Sequence, residues 1–320
     1  MPHPDTRTLA ADDAGLAEAA GLLAAGRLVA FPTETVYGLG ADARSDEATA
    51  AIFAAKNRPQ TNPLIVHVES LDRARGLAEF PADALRLAEA FWPGPLTLVL
   101  PLKPGHGLAP RVTAGLGTVG LRVPGTDLAR RLIAAAGTPV AAPSANPSGR
   151  VSPTSAAHVL QGLSGRIAAV LDGGPCAVGL ESTIVGFDPE PTLLRPGGLP
   201  SEAIEACLGR ALALRTEGAP LTAPGQMESH YAPAAHLRLN VIAPDPGETL
   251  IGFGPVAAPL NLSPSGDLHE AAATLFHTLR LLDERGATRA AVSPIPEVGL
   301  GRAINDRLRR AAAPRPQDPA

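Results

Sequence analysis

From Leu28 to Leu208 the chain alternates short apolar runs with longer helical stretches, and this alternation most constrains its fold. "LVAF" (28–31), "LIVHV" (64–68), "LTLVL" (96–100), "TVGLRVP" (118–124), "PVAA" (139–142) and "AAVLD" (168–172) read as strands. Between them, "SDEATAAIFAAK" (45–56), "TDLARRLIAAAG" (126–137) and "TSAAHVLQGL" (154–163) read as helices. Ser45 or Asp46 supplies the N-cap of the first, and Gly137 stops the second. "STIVGF" (182–187) and "PTLLR" (191–195) form a hairpin-like pair, and a helix over 201–208 closes the block. Strands and helices interleaved in this way predict an α/β fold with one large mixed, twisted sheet and flanking helices.

The segment 213–235, "ALRTEGAPLTAPGQMESHYAPAA", breaks the pattern. It has no period and is rich in Pro and Gly, so it reads as a linker or strap. Beyond it, "LRLNVI" (237–242) and "TLIGFG" (249–254) read as strands, followed by a helix from Asp267 to Arg285. Asp267 and Glu270 have the spacing of a capping box. Strand "RAAVSPI" (289–295) and helix "GRAINDRLRRAA" (301–312) complete a small C-terminal α/β, Rossmann-like domain. The expected organisation is a catalytic domain over 1–212, a linker or lid over 213–236 and the small domain over 237–320.

The hydrophobic fraction of 45% supports a large core, and the aromatic fraction of 3% makes that core mainly aliphatic. Net charge is -4, which gives no broad electrostatic footprint for nucleic acid. Cys176 and Cys207 form no CxxC pair, so neither a disulfide framework nor a zinc site is expected. The N-terminal region "DDAGLAEAAGLLAAG" reads as a helix, not as a signal peptide. No run approaches the ~20 apolar residues of a membrane span. A cytoplasmic protein is the expectation.

"GLGTVG" (115–120) matches GxGxxG but precedes a strand, whereas a dinucleotide loop follows one, so it reads as a turn. Neither GxxxxGK[ST], GxSxG nor HExxH occurs, which removes the P-loop and two hydrolase signatures. What remains is four polar turns beside strands: "PTETVYG" (32–38), "KNRPQTN" (56–62), "PSANPSG" (143–149) and "LESTIVG" (180–186). Of the 27 basic residues only Lys56 and Lys103 are lysine, and Lys56 stands two residues from Arg58. Lys56, Arg58 and Arg122 supply cations while the other turns supply hydroxyls and amides. That set suits an anionic small molecule with a polar body, such as a nucleotide with a carboxylate partner. Thr33, Ser144 and Arg58 each also have a purely structural reading as a turn cap, a local hydrogen bond or a solvated charge. His67, inside an apolar strand, reads as a core histidine or as a site residue behind the cationic turn.

Taken together, these motifs resemble the threonylcarbamoyl-AMP synthases, the YrdC-like family, in its long two-domain form. The likeness is carried by "FPTETVYGLGADA" (31–43), "KNRPQTNPLIVHV" (56–68), "FWPGPLTLVL" (91–100), "VGLRVP" (119–124), "PSANPSG" (143–149), "ESTIV" (181–185), "LLRPG" (193–197) and "HYAP" (230–233). It implies synthesis of threonylcarbamoyl-AMP and pyrophosphate from L-threonine, bicarbonate and ATP, for modification of an adenosine in tRNA. ATP is then a substrate, accompanied by Mg²⁺, and no tightly bound organic cofactor is implied. The downstream partners are the enzymes that transfer the threonylcarbamoyl group to tRNA; direct tRNA binding stays open.

By the same resemblance the catalytic signature falls on Lys56, Arg58, Ser144 and Asn146. Nucleotide contacts fall on Arg58, Asn62, Thr118, Ser144, Ser152, Arg195, His230 and Tyr231. Threonine contacts fall on Thr35, His67, Arg122, Ala142 and Ser182. No metal-ligand set is readable. The competing reading is an RNA-binding module of the same fold without synthase activity, against which the net charge and the few aromatics count.

Overall fold

Residues 5–215 and 230–314 are described by a computed structural model of the chain. The first sheet contains β1 (Arg7–Ala10), β2 (Val29–Phe31), β3 (Gly38–Asp42), β4 (Ile65–His67), β5 (Leu96–Pro101), β6 (Thr118–Arg122), β7 (Val140–Ala141), β8 (Ala169–Asp172), β9 (Thr183–Phe187), β10 (Pro191–Arg195) and β11 (Ala213–Leu214). They lie in the order β1-β8-β2-β3-β7-β4-β6-β5-β9-β10-β11. Parallel and antiparallel neighbours are mixed: β4 runs parallel to β6, and β5 antiparallel to it.

The period of two along each strand decides how this sheet is buried. Val29 and Phe31 point to one face and Ala30 to the other; Ala169 and Leu171 likewise oppose Val170. On the first face, Ala19, Ala20 and Leu23 of helix Asp13–Ala24 join Leu132 and Ile133 of helix Asp127–Ala136. On the second, helices Asp46–Lys56, Ala82–Phe91 and Ala156–Leu163 cover Leu39, Val66, Leu98 and Leu121. With both faces covered, the strands read as continuous apolar runs. Further along the sheet, Ile65, Val99 and Ile184 form a separate small cluster on the side opposite Val66, Leu98 and Val185.

The second sheet holds β12 (His236–Arg238), β13 (Thr249–Gly252), β14 (Leu260–Asn261) and β15 (Arg289–Val292), ordered β12-β15-β13-β14 with parallel pairing throughout. Helices Leu268–Glu284 and Leu300–Ala312 pack in its core. That core also takes in Val36, Val151 and Leu180 from loops of the first sheet, so the two units share an apolar seam. At Gly179, φ 75°, the units come close: a Cβ there would lie 2.5 Å from the Ala272 carbonyl oxygen.

Several local expectations are amended. The expected strand 237–242 is cut to His236–Arg238, because Asn240 turns left-handed at φ 57° and breaks the ladder. Asp267 does cap its helix, accepting from His269 and Glu270 N–H at 2.7 and 2.8 Å. Glu270 does not close the box; its carboxylate accepts from the Ser263 and Ser265 hydroxyls. Most of the expected strap over 213–236 falls on 216–229, outside the described residues.

Strand β3, "GLGAD", carries no β-branched or aromatic residue, and no strand signal marks it. Its glycines are there for space. A Cβ on Gly40 would stand 2.9 Å from Phe31 Cε1 and 3.0 Å from Val140 Cγ1. Gly40→Val should therefore lower unfolding free energy by about 1–3 kcal/mol through overpacking. Urea melts of the variant and of the parent check this, and equal midpoints would refute the packing account.

Candidate active site

Helix Asp46–Lys56 begins at Ser45, whose Oγ accepts from Ala48 N–H, and ends at Asn57 in left-handed conformation. Its last residue, Lys56, is 1% exposed. The ammonium donates to the backbone carbonyls of Ser144 and Asn146, and the Lys56 carbonyl accepts from Ser148 N–H at 2.8 Å. The turn 143–149 is thus clipped onto the helix end. Burial, and next the Arg58 charge, hold the Lys56 pKa well below the usual lysine range. The resemblance puts Lys56 in the catalytic signature, but its side chain does not face the cavity. It lies instead beneath the turn, because two carbonyls supply a buried ammonium with partners that the apolar core cannot.

Arg58 does reach the cavity. Its Nε donates to Asn62 O at 3.1 Å and its Nη2 to Pro63 O at 2.8 Å, so the proline-stiffened turn braces the guanidinium. Burial is the main reason that its pKa is lowered to about 9.

Across the sheet, register places His67 beside Arg122 on β4 and β6. Arg122 donates to Gly94 O at 3.2 Å and to Thr35 Oγ1 at 2.9 Å. Its Nη2 also lies 2.7 Å from Glu34 Oε1, an ion pair by distance with poor hydrogen-bond direction. Thr35 in turn shares a hydrogen bond with Thr33, 2.8 Å between hydroxyls. His67 packs edge-on to Phe31 and leaves Nδ1 without a hydrogen bond among the described residues. Burial first, then Arg122, push its pKa down to about 3, so the imidazole is neutral and Nδ1 or Nε2 accepts.

These groups line one small cavity of about 50 Å³. Thr35, Arg58, His67, Arg122, Ala142, Ser144, Ser182, Arg195, His230 and Tyr231 all line it, ten positions singled out from sequence. Five others do not. Lys56 and Asn146 lie behind the turn, where the Asn146 amide donates to Pro147 O and Arg150 O. Asn62 lends its carbonyl to Arg58. Ser152 sits behind Glu181, donating to Oε1 at 2.5 Å. Thr118 lines a neighbouring groove with Val99, Leu194 and Arg215. Thr118 and Arg122 are four apart on β6 and share a face, so groove and cavity open on the same side of the sheet.

Ser182 accepts or donates to Thr97 at 2.7 Å, and Arg195 Nη2 donates to Ser182 O at 2.8 Å. Beside them stands Glu181, which sequence reasoning quoted but gave no role. Burial alone would raise its pKa, but Arg307 and then Arg195 hold it down at about 2. Its partner Arg307 lies in the C-terminal helix, where an arginine among many carries no motif signal. Among the described residues no group of three or more metal-ligating side chains occurs. The Glu181 oxygens each accept a hydrogen bond, one from Ser152 and one from Arg307.

The site is thus a cationic cavity lined by threonine and serine on one face of a twisted mixed sheet. The sheet domain matches the family model described as "Telomere recombination" for Sua5, YciO and YrdC proteins over residues 21–197. Residues 199–313 match "Threonylcarbamoyl-AMP synthase, C-terminal domain". The chain is 42% identical to threonylcarbamoyl-AMP synthase of Bacillus subtilis, covering 97% of this chain and 96% of that one. It is 41% identical to the enzyme of the same name from Pyrococcus abyssi, over 92% and 93% of the two chains. The crystal structure of P. abyssi Sua5 complexed with L-threonine superposes with TM-score 0.87 at 39% identity, covering 96% and 97%. The chain belongs to the threonylcarbamoyl-AMP synthase family, in its two-domain form. It is an enzyme of the nucleotidyltransferase type. No described helix is long and apolar enough to cross a membrane.

Neutral burial of His67 has a sign for stability. Its pKa of about 3 lies below the ordinary 6.5, so the unfolded chain binds the proton first. Stability from this group is full above 6.5 and is lost as pH falls toward 3, with a limiting slope of about 1.4 kcal/mol per pH unit. His230, also near 3 chiefly through burial, acts in the same direction. Thermal midpoints should fall on acidification below about pH 6.5, and His67→Gln should flatten that fall. An unchanged slope in the variant would count against a neutral buried imidazole.

Proposed function

We propose that this cavity condenses L-threonine, bicarbonate and ATP into threonylcarbamoyl-AMP and pyrophosphate. The observation that carries the reading is the convergence of Arg58, Arg122 and Arg195 on one cavity that also holds a neutral, hydrogen-bond-accepting His67. Arg122 takes the threonine carboxylate, steadied by Thr35 and Glu34. His67 accepts from the threonine hydroxyl or ammonium group, with Ser182 and the Ala142 backbone closing the pocket. Arg58, Ser144 and Arg195 face the phosphates, and His230 and Tyr231 flank the nucleotide. Asn62, Asn146 and Ser152 act from behind, and Thr118 meets the base or ribose only if the nucleotide extends into the neighbouring groove.

The threonine amine takes up bicarbonate to give a carbamate with loss of water. A carbamate oxygen then attacks the α-phosphorus, and the bond to pyrophosphate breaks. The protein contributes position and fixed positive charge where negative charge spreads. Mg²⁺ enters as the counter-ion of ATP, and no protein ligand set is assigned to it. The product passes to the enzymes that load tRNA.

Lys56 is the positioning residue of this scheme: it holds the Ser144–Asn146 turn that presents the Ser144 side to phosphate. Arg58→Ala should reduce threonine-dependent pyrophosphate release by about one to two decades, the worth of one charge-assisted contact. Lys56→Met should reduce it comparably and also lower the unfolding midpoint, because two carbonyls lose their partner. Measuring both properties in both variants separates the roles. Full turnover in Arg58→Ala would sink the assignment.

Amino-acid selectivity follows from the polar pocket wall. Serine should replace threonine with a loss of about 0.8 kcal/mol for the missing methyl. Valine should be rejected more strongly, since it leaves a buried hydrogen-bonding group unpaired. Product formation with the three amino acids in competition, read by mass, checks this; valine equal to serine would refute it.

A further inference from the structure

Helix Leu300–Ala312 of the C-terminal domain reaches the catalytic site through one side chain. Arg307 is 0% exposed, yet it does not line the cavity. Its Nε donates to Glu181 Oε2 at 2.8 Å and its Nη1 to Asp306 Oδ2 at 2.6 Å. Glu181 receives the Ser152 hydroxyl on its other oxygen. The same guanidinium stands 5.1 Å from the centroid of the Tyr231 ring, within cation–π range. Tyr231 stacks on Phe276 of the neighbouring C-terminal helix, 5.6 Å between centroids, and keeps a left-handed backbone at φ 62°. One turn after Arg307, the Arg310 carbonyl accepts from His230 N–H at 3.1 Å.

One residue of the C-terminal domain therefore touches two lining residues of the cavity from behind, Glu181 and Tyr231. An apolar side chain would seal the domain seam as well or better, because a buried ion pair seldom adds net stability over well-packed hydrophobic groups. What the planar guanidinium supplies is geometry: one rigid group gives an N–H bond to Glu181 and another to Asp306 and so fixes the two carboxylates relative to each other. We propose that Arg307 is a positioning residue for the synthase site, fixing the Glu181 carboxylate and the Tyr231 ring so that the cavity is complete only with the C-terminal domain docked. Through Glu181 the effect reaches the Ser152 hydroxyl and the charge balance at Arg195. The proposal rests on the cavity being the site of adenylate formation.

The charged and titratable groups that act on Glu181 come from several elements. Arg195 lies on β10, Arg307 on the C-terminal helix, and His230 and Tyr231 on the segment between the domains. Removing Arg307 leaves burial, which raises the carboxyl, opposed by Arg195 and the Ser152 hydroxyl. Without Arg307 the carboxyl pKa moves up, whereas with it Glu181 stays ionised.

The test is steady-state kinetics of the full chain with ATP, L-threonine and bicarbonate across pH, for the parent, R307M, R307K and the double variant R307M/E181Q. In folded R307M, kcat/KM for ATP should fall about ten- to hundredfold, with a new acid limb that the double variant lacks. R307K, which restores charge without the fork, should recover part of the rate and lose the acid limb. Parent-like rates and a parent-like pH profile in folded R307M would overturn the proposal. If R307M does not fold, R307K decides: a reduced kcat/KM at a parent-like thermal midpoint supports positioning, and parent kinetics overturns it. A parent protein with no threonine-dependent turnover would overturn the site reading and this proposal together, whereas parental turnover with indifferent variants removes Arg307 alone.

Discussion

The concentration of buried positive charge around one cavity sets the terms for the rest of the structure. Lys56, Arg122, Arg195 and Arg307 are each under 5% exposed, and Arg58 lies among them. Isolated, such charges would lose far more hydration than a core returns. Each is instead matched to oxygens: Lys56 to two carbonyls, Arg58 to Asn62 and Pro63, Arg122 to Gly94 and Glu34, Arg195 to Ser182, Arg307 to Glu181 and Asp306. The proline-stiffened turns around 59–63 and 143–147 present carbonyls to these cations. On the proposed function, an anion entering the cavity would relieve the repulsion that remains.

The mixed sheet is the frame that makes this matching possible. His67 and Arg122 end adjacent parallel strands, so their spacing is the strand spacing and leaves little to side-chain choice. Glycines at 38 and 40 let Phe31 lie close against β3 below the pocket. Helices cover the far face, and on the near face the cavity and the adjoining groove lie beside helices Asp13–Ala24 and Asp127–Ala136.

The C-terminal domain stands behind one wall of the cavity. Val36, Val151 and Leu180 of the first unit enter its core cluster, and Tyr231 is packed between Phe276 and Arg307. A seam of this kind couples domain docking to site geometry by contact alone. The His158 and His277 rings also stack across it at 5.6 Å, with burial first and then Arg280 pushing His158 down to about 4. Like His67, this imidazole is held neutral by burial.

By itself the sequence determined the alternating α/β pattern, the strand-and-turn positions of the site and the family. Periodicity, caps and turn residues are local properties, and the motif turns at 32–38, 56–62, 143–149 and 180–186 do converge on one cavity. Ten of the positions that the resemblance implies line it, some at strand ends, such as His67, Arg122 and Arg195, and others on turns and on the segment between the domains. Tertiary structure alone decided which cations face the cavity and which brace it. Lys56 and Arg58 are two residues apart, yet a helix end turns one inward to carbonyls and leaves the other at the wall. It also brought Arg307 to Glu181 across 126 residues of chain, a separation at which no spacing rule operates. The physical reason is the same in both cases: a buried charge goes where unpaired oxygens are, and only the folded chain determines where those lie.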